Sequence, residues 1–323
     1  MAKRSKNEWP IRYFSEIAAR RVDWLWYPYI PFGKITIIQG DPGEGKTSLL
    51  LHIAARLSTG QSLPGESKAN NSIDVIYQSA EDSAEDTLKP RLIGAGGNCA
   101  RIAFIDDEEG TFSLADSRLE AAIQTTGARL LVLDPLQAFL GESSEMNRAD
   151  SVRPSLNKLA AVADRTGCAV VLIGHMNKAS GSKGIYRGLG SIDITAIARS
   201  VLLVSKLRND PSVRVMAHLK SSLAREGKSF AFEIQDDSVL HWLGECEITA
   251  SELLLGEGVP NDSGKLSTSI LTLREMLADG ALPCGMVYTS FYDMDISKRS
   301  VDRAKKMLGV KSVKHADGWY WSL

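Results

Sequence analysis

A glycine-rich stretch between residues 40 and 48, GDPGEGKTS, matches the phosphate-loop pattern G-x-x-x-x-G-K-[ST]. Its glycines allow backbone N–H groups to turn toward phosphate oxygens, and a lysine and a threonine follow the last glycine. Lys46 is expected to reach the β- and γ-phosphates, and Thr47 to ligate Mg²⁺. The sequence therefore predicts a nucleotide site formed by Gly40, Asp41, Pro42, Gly43, Glu44, Gly45, Lys46, Thr47 and Ser48.

A carboxylate at the end of a second apolar run is the candidate metal ligand. Asp134 directly follows RLLVL (129–133), and an aspartate at the end of a strand can hold Mg²⁺ through water. The proline that comes next is also compatible with a simple turn at the strand end. The phosphate loop upstream favours the metal role.

A third apolar run ends in IYQSAED (76–82) and is followed by more acidic residues. The acids in this region are Glu81, Asp82, Glu85 and Asp86. Most charge runs of this kind are solvated, but one of these carboxylates could serve as a catalytic base. The stretch itself does not distinguish the two interpretations.

Hydrophobic periodicity predicts the elements that must position these groups. Short continuous apolar runs are typical of strands covered on both faces, and they occur at 34–39, 72–77, 101–105, 129–133, 168–173 and 200–204. Apolar residues with a period of 3.6 predict helices at 46–58, 117–125 and 152–167. Strands that alternate with helices predict an α/β fold with a mostly parallel sheet flanked by helices.

The pattern changes after residue 205. Three β-like runs, VRVMAHL, SFAFEI and SVLHWL, predict a meander at the edge of the sheet. A segment rich in Gly, Pro, Asp and Ser then predicts a linker before a small, separate C-terminal unit. The predicted division is an N-terminal segment packing on the core (1–33), a nucleotide-binding domain (34–250), a linker (251–265) and a C-terminal domain (266–323).

Composition is that of an ordinary globular chain. The formal net charge is −1 over 323 residues, so contacts with nucleic acid or membrane would need local patches. The four cysteines are widely spaced without a CxxC pair, which argues against a zinc site and fits a reducing compartment. No apolar run approaches the ~18 residues needed to span a bilayer. We therefore expect a soluble cytoplasmic protein with no membrane partner.

The order of these motifs resembles the core of RecA-like ATPases. IPFGKITIIQGDPGEGKTSL resembles the start of that core, and strands ending in IYQSAED, LLVLDP and VVLIGHMNK follow in the same order. The segments GSKGIYRGLGS and ITAIARSVLLV extend the likeness over about residues 20–235, and it is greatest to the RepA-type hexameric helicases of plasmids and phages. The resemblance implies a RecA-like ATPase domain at 34–250 that uses ATP and Mg²⁺.

The same resemblance implies roles for individual residues. Glu81 would orient and partly deprotonate the attacking water, as the residue ending the strand beside the phosphate-loop strand. Asp82 is expected to point elsewhere, and Glu85 and Asp86 to lie in the first turn of the next helix. His175 would be the sensor of the γ-phosphate, although an isolated strand-end histidine is more often bonded to backbone.

The segment 177–191 has a composition that suits a loop binding single-stranded DNA. It is rich in glycine and contains one aromatic residue, Tyr186. A loop of this length in a compact domain is usually functional or disordered. Its basic side chains could meet phosphates, and they are Lys178, Lys183 and Arg187.

Three basic residues are candidates for acting on the nucleotide of a neighbouring subunit. Arg199 stands where RepA-type helicases place an arginine finger, and Lys220 and Arg225 lie in a hairpin resembling the finger region of DnaB-type helicases. Such a group stabilises transition-state charge and links hydrolysis to subunit contact. Each could also be an ordinary surface charge. The resemblance implies an oligomer, expected to be a homo-hexamer.

The C-terminal unit combines three helical patterns with a hairpin signal around a DG turn, an order that resembles a winged helix-turn-helix domain. Seven basic residues oppose Asp302 and Asp317, which gives a local net charge of about +5. The seven are Lys298, Arg299, Arg303, Lys305, Lys306, Lys311 and Lys314. The unit could bind double-stranded DNA with its third helix, or it could serve as a protein-interaction module.

The leading interpretation is an ATP-driven motor on DNA, similar to a RepA-like replicative helicase of phage or mobile-element origin. One alternative is a non-motor ATPase of the same fold, either a recombination or repair mediator or a loader. Another is a DNA-binding regulator that ATP switches.

Overall fold

The computed structural model describes residues 11–323 apart from 70, 107–112, 141–148, 177–191, 209, 236–238, 256–265, 295 and 317. In this part of the chain the strands β1 to β14 are, in order, Trp24–Trp26, Ile30–Pro31, Ile35–Gly40, Val75–Ser79, Ile102–Ala103, Leu130–Asp134, Ala169–His175, Ser200–Leu207, Asp210–Ser221, Ser229–Ile234, Leu240–Cys246, Leu282–Pro283, Lys311–His315 and Gly318–Ser322.

The helices α1 to α9 are Lys46–Ser58, Lys89–Gly94, Ser117–Thr126, Ala149–Thr166, Ile192–Ile197, Ala250–Leu255, Leu266–Leu277, Cys284–Asp293 and Lys298–Met307. A π-helical turn, Ala84–Leu88, leads directly into α2. No helix in the described ranges is long and apolar enough to cross a membrane.

A nine-stranded sheet forms the centre of the fold, in the order β11-β10-β9-β8-β3-β7-β6-β4-β5. The strands from β8 to β5 in this order are parallel, and the meander β8 to β11 is antiparallel. The mostly parallel α/β fold predicted from the sequence is confirmed. The meander occupies the edge of the sheet that its sequence pattern indicated.

The neighbours of β3 are β7 and β8, whereas β4 pairs with β6. The prediction that the strand ending before Glu81 lies beside the phosphate-loop strand is therefore wrong. β6 is fully buried, and so is β7 up to its last residue, and such strands belong in the middle of a sheet covered by helices on both faces. They separate β3 from β4.

The two faces of the sheet bury different apolar sets because successive strand residues point to opposite sides. On β3, Ile38 joins the cluster beneath α1 and α2, and Ile37 joins the cluster beneath α3 and α4. Both faces of the parallel sheet are thus covered, which holds the carboxyl ends of its strands along one fixed edge.

Residues 24–31 lie against the meander. Trp26 is fully buried, and its indole N–H donates to the carbonyl of Pro64 at 2.9 Å. Tyr29 stacks on His218 with ring centroids 5.0 Å apart and donates its hydroxyl to the carbonyl of Lys228 at 2.7 Å. These contacts fix the entry of the chain into the core, whereas residues 11–22 are exposed.

Helix α6 occupies the start of the segment predicted as a linker. The hydroxyl and N–H of Thr249 donate to the carboxylate of Glu252, and the N–H of Glu252 donates back to the Thr249 hydroxyl. This reciprocal capping nucleates a helix where composition predicted none. Residues 251–255 are therefore helical, and 256–265 lie outside the described residues.

The C-terminal unit consists of α7 to α9 and a three-stranded sheet in the order β12-β14-β13. It shares one apolar cluster with the meander, in which Val215 and Leu243 join Leu273 and Val301. The sequence predicted a separate unit, whereas in the structure its apolar side chains pack against those of the core. The apolar faces of α7 and α9 need a cover, and the strands β9 to β11 supply it.

A glycine marks the closest approach between the meander and α7. Gly244 has φ +106°, and a Cβ at this position would lie 1.6 Å from a guanidinium nitrogen of Arg274. A side chain at this position would therefore require the guanidinium group of Arg274 to move.

Gly244→Ala is therefore expected to lower the free energy of unfolding by about 1–2 kcal/mol more than Gly280→Ala. Gly280 is the matched control because its φ is also positive, at +136°, and nothing lies within 4 Å of an added Cβ. Urea denaturation of both variants measures the difference. Equal losses of unfolding free energy in the two variants would mean that Arg274 moves away from β11 without destabilising the protein.

Candidate active site

The phosphate loop follows β3 at the carboxyl edge of the sheet, and its backbone depends on glycine. A Cβ on Gly40 would lie 2.2 Å from the carbonyl oxygen of Val204 on β8. Gly43 and Gly45 have φ values of +77° and +91°, in the left-handed region where glycine is favoured. Helix α1 then begins at Lys46, so its N-terminal N–H groups point toward the space above the loop.

Lys46 is only 4% exposed, and its ammonium group lies within the loop. It donates to the carbonyl oxygens of Gly40 at 2.9 Å and Asp41 at 2.8 Å. Burial lowers the pKa of Lys46, and the nearby carboxylates, Asp134 first among them, oppose this shift. A triphosphate would supply the negative charge that this buried ammonium group lacks.

Asp134, at the end of β6, is buried and accepts two side-chain hydrogen bonds. Thr47 donates its hydroxyl at 2.8 Å, and Tyr77 donates its hydroxyl at 3.0 Å to the same oxygen. Burial raises the pKa of Asp134, and these two hydrogen bonds act in the opposite direction. The structure thus joins the two groups predicted to hold a metal ion.

These oxygen donors fit Mg²⁺, which prefers hard oxygen ligands and keeps several waters. A cation beside Asp134 would stabilise its charged form, which burial disfavours. The described residues contain no group of three or more His, Cys, Asp or Glu side chains able to hold a metal. Nucleotide oxygens and water would therefore complete the coordination, with Thr47 and Asp134 as the protein groups.

Tyr77 was not predicted from the sequence. It lies within the apolar run of β4, and its strand pairs with β6 so that Ser79 faces Asp134. A hydroxyl in a run that is otherwise apolar was the available signal, because a buried tyrosine usually needs a hydrogen-bond partner.

The four acids after β4 have different surroundings. The Ser79 hydroxyl accepts hydrogen bonds from the backbone N–H groups of Glu81 and Asp82, which fixes the turn. Asp82 lies 3.8 Å from Arg91, and Glu81 is exposed. Both charges raise the pKa of Asp134, Asp82 more than Glu81, and Glu81 also raises the pKa values of Lys46 and His175 against the effect of burial. Glu81 therefore belongs to the same electrostatic environment as the phosphate loop.

Glu85 and Asp86 lie in the first turn of the π-helical segment, where the sequence predicted the start of a helix. Ser83 is the N-cap, and its hydroxyl accepts the backbone N–H groups of both acids. Hydrogen bonds from Thr87 and Ser83 lower the pKa of Asp86. Negative charge at this position suits a helix N-terminus.

His175 ends β7 directly beside Gly40, with which it pairs in the parallel ladder. Burial lowers its pKa, and the charge of Lys46 lowers it further, while Glu81 opposes both effects. The next N–H, of Met176, donates to the Gly40 carbonyl at 3.3 Å. His175 thus lies between the phosphate loop and residues 177–191, which fall outside the described residues together with Lys178, Lys183 and Arg187.

A second set of contacts reaches the phosphate loop from the meander, and sequence reasoning missed it. The carboxylate of Glu44 accepts a hydrogen bond from the backbone N–H of Lys206. Arg214 on β9 packs against Gly45, with side-chain atoms 3.0–3.1 Å from where a Cβ would be. Burial lowers the pKa of Arg214, and Glu44 opposes the shift. The single charge within the apolar run VRVMA was the signal available in the sequence.

Comparison with known proteins agrees with this geometry. A family model described as an AAA domain matches residues 4–181, more than half of the chain. The chain belongs to the AAA-domain family. It accordingly has a RecA-like P-loop ATPase domain, which implies a nucleotide-binding site.

Several curated relatives of this AAA-domain protein are named DNA repair protein RadA. RadA of Bacillus subtilis is 24% identical over 226 residues, which cover 69% of this chain and 44% of that protein. RadA of Brucella abortus is 27% identical over 152 residues, 45% of this chain and 29% of that protein. RadA of Mycobacterium tuberculosis is 27% identical over 149 residues, which cover 45% of this chain and 28% of that protein. The chain spans less than half the length of these relatives.

The three candidate finger residues of this AAA-domain protein lie at the edge of the sheet opposite the phosphate loop. Arg199 donates its N–H to the carbonyl of Ile35, at the beginning of β3. Lys220 pairs with Val201 at the same edge, and Arg225 lies exposed in the following hairpin. The length of β3 separates them from their own phosphate loop by about 16 Å.

Lys220 already has partners within its own chain. Its ammonium group donates to the carbonyls of Thr195 at 2.7 Å, Ala196 at 3.3 Å and Ala198 at 2.9 Å. These carbonyls lie at the end of α5, where a positive charge is favoured. The structure therefore assigns Lys220 a cis contact that the sequence did not predict, and leaves Arg199 and Arg225 exposed.

The basic residues of the C-terminal unit are not equivalent. Arg303 is 5% exposed and lies on the inward face of α9, so its prediction as a DNA-facing residue is wrong. Lys305 donates to the Ser312 hydroxyl at 2.6 Å and lies over the ring of Trp321. Lys306 lies 3.9 Å from Glu252. The helical period, which turns every third or fourth residue inward, explains why Arg303 is buried.

Lys298 lies over the ring of Tyr288, 4.8 Å from its centroid, near the start of α9. Arg299, Lys311 and Lys314 are exposed. Lys298 is exposed as well, so these four residues present positive charge to solvent.

Tyr77→Phe is expected to raise the Mg²⁺ concentration needed for half-maximal ATP turnover by about tenfold, because it removes a group that orients Asp134. Tyr29→Phe is the matched control, since its hydroxyl bonds to Lys228 far from the loop. Each variant should lose about 1 kcal/mol of stability. ATP turnover across a Mg²⁺ series measures the effect. Unchanged Mg²⁺ dependence in Tyr77→Phe would contradict the positioning role of this hydroxyl.

Proposed function

We propose that this protein is a DNA-dependent ATPase that hydrolyses ATP with Mg²⁺ at the carboxyl edge of its central sheet. The observation that supports this most is the contact between Thr47 and the buried Asp134, beside a phosphate loop with Lys46 inside it. Residues 40–48 would hold the phosphates, and Thr47 and Asp134 the metal ion. When bound, the metal would neutralise charge that develops on the transferred phosphoryl group.

Glu81 is proposed as the carboxylate that orients the attacking water. Its backbone is fixed by Ser79, and it is exposed, so a water can reach its side chain. It influences the pKa values of Lys46 and His175, which places it in the same charged environment. His175 would then sense the γ-phosphate and pass the change to residues 177–191, which follow it directly.

The proposed ligand of the 177–191 segment is single-stranded DNA, with Lys178, Lys183 and Arg187 meeting its phosphates. Two functional branches are compatible with this arrangement. One is the RepA-like replicative helicase that the motif order suggests. The likeness to DNA repair protein RadA favours the other, an ATPase of recombination or repair.

Self-association is part of this proposal. Arg199 and Arg225 are exposed at the edge opposite the phosphate loop, so they could reach a nucleotide only in a neighbouring copy. A closed ring, expected to be a hexamer, would bring that edge against the next phosphate loop.

The C-terminal unit is proposed to be a winged helix-turn-helix domain. Its order of elements, α7, β12, α8, α9, β13 and β14, and its three-stranded antiparallel sheet support this assignment. Double-stranded DNA would contact the exposed cations Lys298, Arg299, Lys311 and Lys314. A regulator switched by ATP would use the same surface, and so would a protein partner with an acidic face.

Glu81→Gln is expected to lower ATP turnover about 10²- to 10⁴-fold, because the amide cannot accept a proton from water. Nucleotide binding should be retained, since Glu81 makes no contact within the phosphate loop. Asp82→Asn is the matched control and should stay within a few fold of the wild type. Steady-state turnover and equilibrium binding of a fluorescent ATP analogue measure the two effects.

Adding single-stranded DNA to the same assay tests the DNA dependence. Turnover of the wild-type protein should rise with DNA, and strand displacement distinguishes a helicase from a recombination or repair ATPase. ATP turnover that is unchanged by DNA would exclude a DNA motor. Full ATPase activity in Glu81→Gln would exclude Glu81 as the catalytic base.

Arg299→Gln is expected to weaken double-stranded DNA binding. It should also make the slope of log K against log salt concentration shallower by about 0.9, the value for one phosphate contact. Lys306→Gln is the control, because Glu252 already offsets its charge. Binding isotherms at several salt concentrations measure both. If the two variants bind like the wild type, the unit is better explained as a protein-interaction module.

A further inference from the structure

A cavity of about 570 Å³ lies where the C-terminal unit meets the core. Residues 62–66, which follow α1, line it together with the strands β10 and β11. The C-terminal unit contributes Arg274 of α7 and Leu308, which follows α9. This space is here called the junction cavity. Its volume is within the range of sites that bind small molecules.

The junction cavity is distinct from the phosphate loop. Arg56, which lines the cavity, stands in the last turn of α1, whereas Lys46 begins that helix. The length of the helix between them is about 15 Å. None of residues 40–48 belongs to the lining of the cavity. A molecule in the junction cavity would therefore be a second ligand and not the nucleotide held by the phosphate loop.

Arg274 is a half-buried charge of the junction cavity. Its guanidinium group makes no hydrogen bond or ion pair with the residues that the structure describes. Burial lowers the pKa of Arg274, and the charge of Glu245 opposes the shift. The carboxylate of Glu245 is itself paired with Lys228 at 2.9 Å. An anion that offers two oxygens would stabilise a guanidinium group in these surroundings.

A second guanidinium group lines the same cavity. Arg56 donates its Nε–H to the carbonyl oxygen of Ser62 at 2.8 Å, and its terminal nitrogens make no hydrogen bond within the described ranges. The acids of the lining are Glu66 and Glu245. Glu66 accepts the N–H of Leu63 at 2.8 Å, so both carboxylates already have partners. The two arginines thus keep donors for an anion, while neither acid does the same for a metal ion.

Aromatic side chains form the apolar part of the junction cavity. Phe230 and Trp242 both line it, and their ring centroids are 5.9 Å apart in an edge-to-face arrangement. Trp26 and Phe232 also pack edge-to-face with Trp242, which fixes the orientation of its ring. Trp242 is half-buried, so part of it stays accessible to a ligand.

This combination of groups is suited to the phosphate ester of a planar base. Arginine binds phosphate oxygens through two parallel hydrogen bonds. Aromatic side chains stack on nucleobases regardless of their sequence, because every base has a π-face. The absence of an unengaged carboxylate from the described lining favours an anion that arrives without Mg²⁺.

We propose that the junction cavity binds a nucleoside monophosphate, with the phosphate on Arg56 and Arg274 and the base against Phe230 and Trp242. This ligand lacks the β- and γ-phosphates that Lys46 is expected to reach, so it would not compete for the phosphate loop. Arg56 belongs to the core and Arg274 to the C-terminal unit, and the bound ligand would contact both. The site does not depend on ATP hydrolysis or on DNA binding.

Equilibrium dialysis with radiolabelled AMP and excess EDTA tests the site. The wild-type protein and Lys46→Gln should bind AMP equally. Arg274→Gln should weaken binding roughly tenfold or more, the usual effect of losing a hydrogen bond to a charged group. Arg165→Gln is the matched control, because Arg165 is exposed on α4 and paired with Glu120. Its affinity for AMP should equal that of the wild type.

Arg56→Gln repeats the test on a different helix, so that a folding defect caused by one substitution does not decide the result. It should weaken AMP binding to a similar extent, and urea denaturation checks that each variant is folded. The proposal is wrong if the wild type binds no AMP, if neither arginine variant binds it more weakly, or if Lys46→Gln abolishes binding.

Two fragments of AMP test the chemical class of the ligand. Adenosine and inorganic phosphate each carry one half of it, so each should bind more weakly than AMP. Phosphate that binds as tightly as AMP would show that the aromatic side chains recognise nothing. Adenosine that binds as tightly would show the same of the arginines. Either result would rule out a nucleoside monophosphate as the ligand.

Hydrogen exchange locates the ligand without any substitution. AMP should slow the exchange of backbone amides in residues 62–66 and 242–245, and leave residues 40–48 unchanged. Slower exchange confined to residues 40–48 would place AMP in the phosphate loop and contradict the proposal.

Discussion

The buried carboxylate of Asp134 is the group on which the candidate site depends. It accepts hydrogen bonds from Thr47 on α1 and Tyr77 on β4, so one side chain joins three elements of the core. Burial raises its pKa, and the two donors oppose that rise. This balance requires β6 to stay inside the sheet, because at an edge the carboxylate would be solvated and its two partners would no longer be held together. The central position of β6 is thus a condition for the chemistry as well as for the packing.

That central position has consequences for every other charged group. Parallel strands place all their carboxyl ends along one edge, so the phosphate loop, Asp134, His175 and the turn with Glu81 meet there although they are far apart in sequence. The amino ends lie at the opposite edge, where Arg199 and Lys220 are found. One strand length, about 16 Å for β3, is too far for a side chain to bridge. The polarity of the sheet therefore keeps Arg199 and Lys220 away from the phosphate loop of their own chain.

The parts of this structure that local sequence determines were predictable. The phosphate loop and α1 agree with the predicted residues, because glycine positions and a 3.6-residue period are local signals. Strand order depends on contacts between segments that are distant in sequence, and local patterns do not reveal them. For this reason β4 was wrongly expected beside β3. The burial of Arg303 and the contacts of Lys220 within its own chain were not foreseen for a related reason. A charge in the sequence does not reveal whether its side chain turns inward, as Arg303 does, or caps a distant helix, as Lys220 does. Tyr77 was missed because its partner is 57 residues away.

The meander connects the phosphate loop to the C-terminal unit through adjacent residues of one strand. On β9, Arg214 packs against Gly45, while Val213 and Val215 point to the other face and join the cluster beneath α7 and α9. Successive side chains of a β-strand point to opposite faces of the sheet. If Arg214 faces the phosphate loop, Val213 and Val215 must face the C-terminal unit. Glu44 and Gly45 of the phosphate loop thus contact the same meander that supports the C-terminal unit. One strand of the shared core therefore contacts both the phosphate loop and the helices of the C-terminal unit.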